Sequence, residues 1–242
     1  MARVFVAGAS GAIGRPLTRM LIAAGHDVTG SSRTATGANA IEAAGATSAI
    51  VDVLDAGSVL DAMRRARPDV VIYQVTDLAT DPGQEISDEK LEANAHVREV
   101  GIGNVVAATA DVRARRLIAQ SIAWLSVAGA EPHTEDDPIA PPPPAVIPRT
   151  RQAVIDLERL TTTDARFDGV VLRYGRLYGP GTWRTDPDQP PTVHVDAAAN
   201  AAVLAVERGE AGIYNIADDD GSVSIAKARR LLGWEPLDRM PG

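Results

Sequence analysis

The sequence predicts an α/β fold in which helices cover both faces of a doubly wound parallel sheet. Short apolar runs alternate with segments of helical periodicity along nearly all of the 242 residues. The first apolar run, at residues 4–7, leads directly into a glycine-rich loop and then into an amphipathic segment. Because a helix separates each strand from the next, we expect the strands to be parallel and the crossovers right-handed.

The predicted strands are short and rich in valine, isoleucine and alanine, as is typical of strands buried on both faces of a sheet. Val4–Ala7, for example, contains no polar residue. The predicted strands lie at residues 4–7, 28–31, 48–51, 70–73, 116–122, 169–174 and 213–216.

The predicted helices are segments in which apolar residues recur every three or four positions. In the first, Ile13, Leu17 and Leu21 share one face, and Gly25 ends the helix. The predicted helices lie at residues 12–24, 38–44, 56–66, 87–110, 150–161, 196–207 and 223–232. The proline-rich stretch 138–148 is predicted to be a stiff surface loop, either a spacer or a wall of the substrate site.

Composition excludes several classes of protein. There is no cysteine, so disulfides, thiolate metal sites and a cysteine nucleophile are excluded. The 24 basic and 32 acidic residues give a net charge of −8, which disfavours a nucleic-acid partner. No apolar run reaches the roughly 20 residues of a membrane helix, and we expect a cytoplasmic protein. The run Asp218–Asp220 is interpreted as a solvated turn, and no metal site is predicted.

The glycine-rich loop is the strongest functional signal. Its spacing is GxxGxxG, a variant of the dinucleotide-binding pattern GxGxxG, and it lies between a strand and a helix. Glycines let the backbone approach a pyrophosphate, and the helix N-terminus offers free N–H groups and a partial positive charge. The alternative interpretation is that these glycines only form a tight turn and bind no ligand. The residues expected to contact a cofactor here are Gly8, Ser10, Gly11, Ala12, Ile13 and Gly14.

The end of the second strand predicts which dinucleotide binds. NAD-binding proteins place a carboxylate there, which accepts a hydrogen bond from the ribose hydroxyl. This chain has Ser32 and Arg33 instead. An arginine there can bind a 2′-phosphate, so we expect NADP(H) to be preferred over NAD(H). The alternative is a solvated surface arginine.

Residues at the ends of the next strands complete the predicted cofactor site. Asp52 ends the third strand and is placed to accept a hydrogen bond from the adenine amino group; the alternative is a helix N-cap, a role for which Asp55 is better placed. Gln74, Val75 and Thr76 follow the fourth strand, at the sheet edge where ligands of open α/β sheets bind.

The residues resemble those of the extended short-chain dehydrogenase/reductase superfamily, of the NAD-dependent epimerase/dehydratase type. The matching segments are GASGAIG at 8–14, Asp52-Val53, REVG at 98–101, LRYGRLYGPG at 172–181, VHVDAAA at 193–199, YNIADDD at 214–220 and LLGWEP at 231–236. The strand containing Gln120 and Ser121 resembles a subgroup of that family. The resemblance implies a Rossmann-type NADP-binding domain at 1–175 and a small, shortened C-terminal substrate region at 176–242, interleaved with the first. Val53 and Gln120 complete the expected cofactor contacts.

The sequence departs from the family at the proton donor. The family uses Tyr-x-x-x-Lys, in which the lysine lowers the pKa of the tyrosine. None of the four tyrosines here has a lysine four residues on. Alignment on Glu158 implies that Thr150 stands at the tyrosine and Val154 at the lysine.

Three residues are retained as catalytic candidates. The family's catalytic serine or threonine falls near Ser121 or Ile122, and Ser121 can orient a substrate oxygen unless it is only a buried hydroxyl. Arg98 replaces a family asparagine and can steady an anion; surface arginines are the commoner case. Tyr178 follows the sixth strand, where packing at the domain junction is the alternative.

We therefore predict an NADP(H)-dependent oxidoreductase that acts on a small carbonyl or enone compound without Tyr-x-x-x-Lys. The alternative is a non-catalytic NADP(H)-binding sensor, which the missing motif favours. The resemblance also implies a homodimer through the helices at 87–110 and 150–161. A small-molecule substrate is expected, and neither a nucleic acid nor a membrane.

Overall fold

The computed structural model describes residues 1–78, 86–125, 129–139 and 148–237, so most of the proline-rich stretch lies outside the described residues. The strands are β1 (Arg3–Ala7), β2 (Asp27–Ser32), β3 (Thr47–Ile50), β4 (Val70–Tyr73), β5 (Arg116–Ile122), β6 (Asp168–Tyr174), β7 (Arg176–Tyr178), β8 (Thr192–His194) and β9 (Gly212–Ile216). The helices are α1 (Gly14–Ala23), α2 (Ala35–Ala43), α3 (Ala56–Ala66), α4 (Asp88–His96), α5 (Ile102–Asp111), α6 (Pro148–Thr162), α7 (Val195–Ala205) and α8 (Ala226–Leu232).

Seven strands form one parallel sheet in the order β3-β2-β1-β4-β5-β6-β9. The predicted α/β fold with a Rossmann-like parallel sheet is confirmed. Strand β4 is buried along its whole length, as its apolar sequence requires, and it pairs with β1 and β5 in parallel register. Strands β7 and β8, which the sequence did not predict, form a separate parallel pair.

The helices divide between the two faces of the sheet, and each face has its own apolar cluster. On one face, Leu17 and Leu21 of α1 pack with the alanines of α7 and with Trp234. On the other, Met63 of α3, Val105 of α5 and other apolar residues pack against β1, β4 and β5. Small alanine side chains let α7 lie close to α1.

The long helix predicted at 87–110 is interrupted. Its middle, Val97–Gly101, winds as a π-helical turn between α4 and α5. The hydroxyl of Tyr73 in β4 donates a 2.8 Å hydrogen bond to the carbonyl of Val97. A Cβ at Gly101 would lie 2.6 Å from the same hydroxyl, so only glycine lets the turn approach β4 this closely. Such turns are frequent at functional sites.

The starts of three helices differ from the predictions, and at α2 the reason is a side-chain cap. Thr34 accepts a hydrogen bond from Gly37 N, so α2 begins at Ala35 rather than at 38. Asp55, rather than Asp52, caps α3. Helix α1 begins at Gly14 instead of 12, and α8 begins at Ala226 instead of 223.

The segment after residue 175 is woven into the main sheet. Strand β9 pairs with β6, and α7 covers one face. The guanidinium of Arg116 in β5 donates to the carbonyls of Ala205, Arg208 and Gly209, which ties β5 to the end of α7. In the part of the chain that the structure describes, no helix is both long enough and apolar enough to cross a membrane.

Candidate functional site

The candidate site lies where the direction of strand connection reverses. Strand β1 lies between β2 and β4, and the chain runs outward from it in both directions. The crevice beyond the carboxyl ends of such strands is where open α/β sheets bind ligands. The glycine-rich loop leaves β1 at this edge, and Gln74 leaves β4 beside it.

The loop needs its glycines. Gly8 has φ of +84°, and a Cβ there would lie 2.9 Å from the carbonyl oxygen of Gln74. A Cβ at Gly14 would lie 2.2 Å from the carbonyl oxygen of Gly8, to which Gly11 N donates at 3.1 Å. Ile13 precedes α1 and provides no side-chain cap. Arg15 N donates to Gly11 O at 3.1 Å and Pro16 has no N–H, so within the described residues Gly14 N is the N–H of the first turn that is left for an anion.

The other loop residues hold its shape and its distance from β2. The Ser10 hydroxyl donates to the Ser32 hydroxyl at 3.0 Å, while Ala12 is half-buried. The Arg15 guanidinium donates to Ser10 O at 2.9 Å. A Cβ at Gly37 would lie 2.0 Å from Ser32 Oγ, so β2, α2 and the loop meet closely.

Arg33 extends from the end of β2 and is about half exposed. Its Nη2 lies 3.2 Å from Oδ1 of Asp77, a residue that the sequence analysis did not identify. Asp77 N in turn donates to the buried Asn94 side chain at 3.0 Å. A carboxylate and a cation from two strand ends therefore face each other across the end of β1.

Asp52 and Val53 lie at the end of β3 in different environments. Asp52 is exposed, and its Oδ1 accepts a hydrogen bond from Leu54 N at 3.0 Å. Val53 is buried against Gly101 of the π-helical turn, and its carbonyl accepts from the Asn104 amide at 2.9 Å. Of these two side chains, only that of Asp52 is therefore accessible to a ligand.

Gln74 is a buried polar residue beside the loop. Its Nε2 donates to the Tyr174 hydroxyl at 3.3 Å, and its Oε1 has no hydrogen-bond partner among the described residues. Burial raises the pKa of Tyr174. Val75 and Thr76 follow Gln74 and are half-buried, whereas Gln120 is buried in β5 opposite Leu172. An unpartnered buried oxygen at this edge is a place for a ligand donor.

Ser121 belongs to a buried ionic cluster. Its hydroxyl donates to Glu158 Oε1 at 2.6 Å, and Arg173 binds the same carboxylate through Nε at 2.8 Å and Nη2 at 2.7 Å. Arg173 is the second-to-last residue of β6, and nothing in the sequence indicates that it belongs to the site. The side chains of Arg173 and Glu158 are each 7% exposed.

Arg98 is a second buried cation in this region, at 4% exposure in the π-helical turn. Burial lowers the pKa of Arg98 to about 10, while the nearby Tyr73 and Glu158 raise it. Its guanidinium makes no hydrogen bond to any residue in the described ranges. Glu158 thus accepts a hydrogen bond from Ser121 and also favours the charged form of Arg98.

Tyr178 lies elsewhere, in β7. Its ring packs edge-on against His194, with 5.3 Å between ring centroids, and His194 caps α7 by accepting from Asp196 N. A cleft of about 340 Å³, which the sequence analysis missed, opens beyond β5 and β6. Trp124 and Arg176 line it, with the guanidinium 4.9 Å from the indole centroid. Within residues 1–78, 86–125, 129–139 and 148–237, no three histidine or acidic side chains converge as a metal ion would require.

Comparison with known proteins identifies the family. The profile of the NAD dependent epimerase/dehydratase family matches residues 4–192. The chain belongs to this family. A 3-diazoavenalumate denitrifying reductase from a Streptomyces species is 35% identical over 267 residues, covering 99% of this chain and 84% of the relative.

The solved structures of two epimerases share the fold of this family member. UDP-glucose 4-epimerase from Thermotoga maritima has a TM-score of 0.77 at 18% identity, covering 97% of this chain and 93% of the epimerase. UDP-glucose 4-epimerase from Thermus thermophilus, in complex with NAD, has a TM-score of 0.72 at 22% identity, covering 99% of this chain and 86% of the epimerase.

The residues present fit the nicotinamide cofactor that the family description implies. The loop closes so tightly that a Cβ at Gly14 would meet backbone, and no side chain caps the start of α1. Family membership and the reductase relative support an oxidoreductase-type function dependent on NAD(P). In this family member, Thr150 and Val154 are buried at the start of α6, and Thr150 Oγ1 has no partner among the described residues.

Proposed function

We propose that this protein is an NADPH-dependent reductase of a small organic molecule whose reduction needs no proton from a tyrosine. The observation that carries the proposal is that the glycine loop is complete although the proton-donor motif is missing. Thr150 and Val154 stand where the family has the phenol of its tyrosine and the ammonium group of its lysine. The chain retains the means to hold a cofactor, whereas the family's general acid is absent from its sequence.

Arg33 supports NADPH over NADH. It stands at the end of β2, where a carboxylate would accept from an NAD ribose, and its side chain is 52% exposed. Its partner Asp77 partly neutralises it, so a 2′-phosphate would compete with that carboxylate for the guanidinium. Ser10 and Ser32 offer hydroxyls beside it.

The remaining residues would bind the cofactor, orient the substrate and exclude water. When bound, NADPH would supply a hydride. The glycine loop and the N-terminus of α1 would hold the pyrophosphate, and Gln74 Oε1 would accept a hydrogen bond from the ligand. Ser121 would present its oxygen lone pairs, because its proton is directed at Glu158. Arg98 would place a buried positive charge behind that cluster.

The reductase relative suggests a substrate that suits this chemistry. Its name describes a diazo compound from which nitrogen is lost on reduction. Replacement of a diazonium group by hydrogen releases dinitrogen and consumes no proton. Reduction of a carbonyl, in contrast, leaves an oxygen that needs one. An arenediazonium compound is therefore the substrate class we propose, ahead of the carbonyls and enones that the sequence alone suggests.

The test is turnover of purified protein with NADPH and a panel of arenediazonium salts, aldehydes, ketones and enones. We expect NADPH oxidation and dinitrogen release in equal amounts with the diazonium compounds, above the rate without protein. The Gly14→Ala variant, which closes the loop, serves as the control and should lose the protein-dependent rate.

The second candidate is a non-catalytic NADP(H) sensor. The observation that favours it is again the absence of a lysine four residues after any tyrosine. Tight NADPH binding without oxidation across the whole panel would support the sensor and overturn the reductase.

A further inference from the structure

The cleft beyond β5 and β6 has a construction of its own. Its apolar wall includes Trp124, Pro190, Pro191 and Val223, and its volume is about 340 Å³. That lies at the lower end of the range for small-molecule sites, about 300–1,000 Å³. The cleft therefore accommodates a one-ring compound more readily than a nucleotide sugar.

Arg176 is held in this cleft with three of its five N–H donors unused among the described residues. Its Nη1 donates to the carbonyls of Gln189 at 3.3 Å and Pro190 at 2.9 Å. Its Nε and Nη2 donate to no acceptor in the described part of the chain. A guanidinium fixed at one edge and open at another is prepared for a bidentate carboxylate.

Trp124 adds a flat surface to that cation. The guanidinium carbon lies 4.9 Å from the indole centroid, within the range of a cation–π contact. Desolvation lowers the pKa of Arg176, with Asp188 opposing and Arg184 reinforcing that effect, but an arginine stays cationic. The half-buried positive charge of Arg176 is therefore destabilising unless an anion binds to it.

The acidic residues nearby do not satisfy Arg176. Glu131 and Asp220 also line the cleft, and neither forms an ion pair with Arg176. Asp220 Oδ1 accepts hydrogen bonds from Ser222 N at 2.9 Å and from Ser222 Oγ at 2.5 Å. Asp188 is paired with Arg184 on the neighbouring segment.

The cleft and the glycine loop share one edge of the sheet. Trp124 follows β5 and Arg176 follows β6, while the loop follows β1. With β4 between β1 and β5, the two sites are separated by roughly 10–15 Å along the sheet, because neighbouring strands lie about 4.8 Å apart. A substrate anchored in the cleft can therefore reach toward a cofactor held by the loop.

We propose that this cleft binds an aromatic carboxylic acid, with the carboxylate on the open edge of Arg176 and the ring against Trp124 and the proline wall. The assignment of that acid as the substrate rests on the proposed reductase function. The binding site itself does not, since it follows from the cleft alone.

The experiment compares cinnamate with cinnamamide, which has the same shape without the charge, by calorimetry on the full chain without cofactor. We expect cinnamate to bind at least about tenfold more tightly, as hydrogen bonds to charged groups are worth about 1.5–3 kcal/mol. Arg176→Gln should remove this preference, and Arg176→Lys should retain part of it. Arg64→Gln, which changes an exposed arginine paired with Asp111, is the matched control and should leave it unchanged.

Equal affinity for cinnamate and cinnamamide, or no binding of cinnamate, would overturn the proposal without using any variant. So would displacement of cinnamate by UDP at similar concentration, which would indicate a nucleotide site. NADPH is titrated separately. Cinnamate preference without NADPH binding would leave the acid site standing and remove the reductase, whereas the converse would remove only the acid site.

Discussion

The hydroxyl of Ser121 donates a 2.6 Å hydrogen bond to Oε1 of Glu158. Its proton therefore points into the protein, toward a carboxylate that Arg173 already holds at both oxygens. A hydroxyl bound in this way can accept a hydrogen bond from a substrate but does not readily donate its proton. Ser121 is thus a poor replacement for the missing tyrosine and a good orienting group.

The Glu158 carboxylate should be essential for stability. Glu158→Gln leaves Arg173 without its charge partner and removes a carboxylate that favours the charged form of Arg98, so two buried cations lose compensation. Breaking a buried ion pair from one side costs about 3–5 kcal/mol, and we expect a loss in that range by urea unfolding.

Two further variants test whether charge is the cause. Ser121→Ala removes one hydrogen bond and should cost about 1–3 kcal/mol. Glu158→Leu combined with Arg173→Met removes both charges and should be more stable than Glu158→Gln. If the double variant is the least stable of the three, desolvated charge does not govern this cluster.

Gly14 should be indispensable for cofactor binding. In Gly14→Ala the new Cβ would lie 2.2 Å from the carbonyl oxygen of Gly8, so the loop must open. We expect NADPH affinity to fall by at least about a hundredfold, equivalent to 2.7 kcal/mol, in calorimetric titration. Gly103→Ala is the control, because a Cβ there meets no atom within 4 Å and should stabilise α5 by up to about 1 kcal/mol.

The Arg33–Asp77 pair should set the choice between NADPH and NADH. Arg33→Gln should weaken NADPH binding by about ten- to a hundredfold and leave NADH unchanged. Asp77→Asn removes the competing carboxylate, 3.2 Å from the guanidinium, and should tighten NADPH binding several-fold. Separate titrations of the two cofactors measure this. Equal weakening of both in Arg33→Gln would show that Arg33 does not read the 2′-phosphate.

The pair of Arg3 and Asp69 should give stability that depends on pH. Hydrogen bonds from Arg3 lower the pKa of Asp69 to about 2. A lowered carboxyl pKa stabilises the fold above the unfolded value of about 3.9 and ceases to do so as the pH falls through the folded value. The difference in the free energy of unfolding between the wild type and Arg3→Gln should therefore be constant above pH 5, decrease as the pH falls toward 2, and vanish only below that pH.

Solvent exposure of Arg3 and Asp69 limits how much the stability of the wild type and of Arg3→Gln can differ. Both side chains are more than a third exposed, so we expect a small difference in the free energy of unfolding that decreases with salt. Arg19→Gln is the control, since Arg19 is exposed and pairs with no carboxylate in the described ranges. Unfolding at pH 2 to 7 measures both variants.

The sheet and the glycine loop were predictable because their signals are local. The apolar run Val4–Ala7 and the glycines that follow it lie within one stretch of chain. Thr34 and Asp55 also cap helices through hydrogen bonds within three residues, although only Asp55 was identified.

The rest of the site depends on contacts between distant segments. Asp77 faces Arg33 from 44 residues away, and Glu158 meets Ser121 from 37. The first arginine of LRYGRLYGPG, Arg173, gives no sign in the sequence that it is buried beneath the site. Trp124 and Arg176 form a cleft only because β5 and β6 are neighbours in the sheet.

The π-helical turn at Val97–Gly101 has a consequence for how this helix tolerates insertions and deletions. A turn of this kind contains one residue more than ordinary winding requires. Loss of a single residue there would rotate the preceding helix by about 100° relative to α5, since each α-helical residue turns the chain by that angle. Asn94 would then no longer face Asp77, and Arg98 would leave the buried cluster. A change of one residue in this turn would therefore dismantle both ends of the site at once.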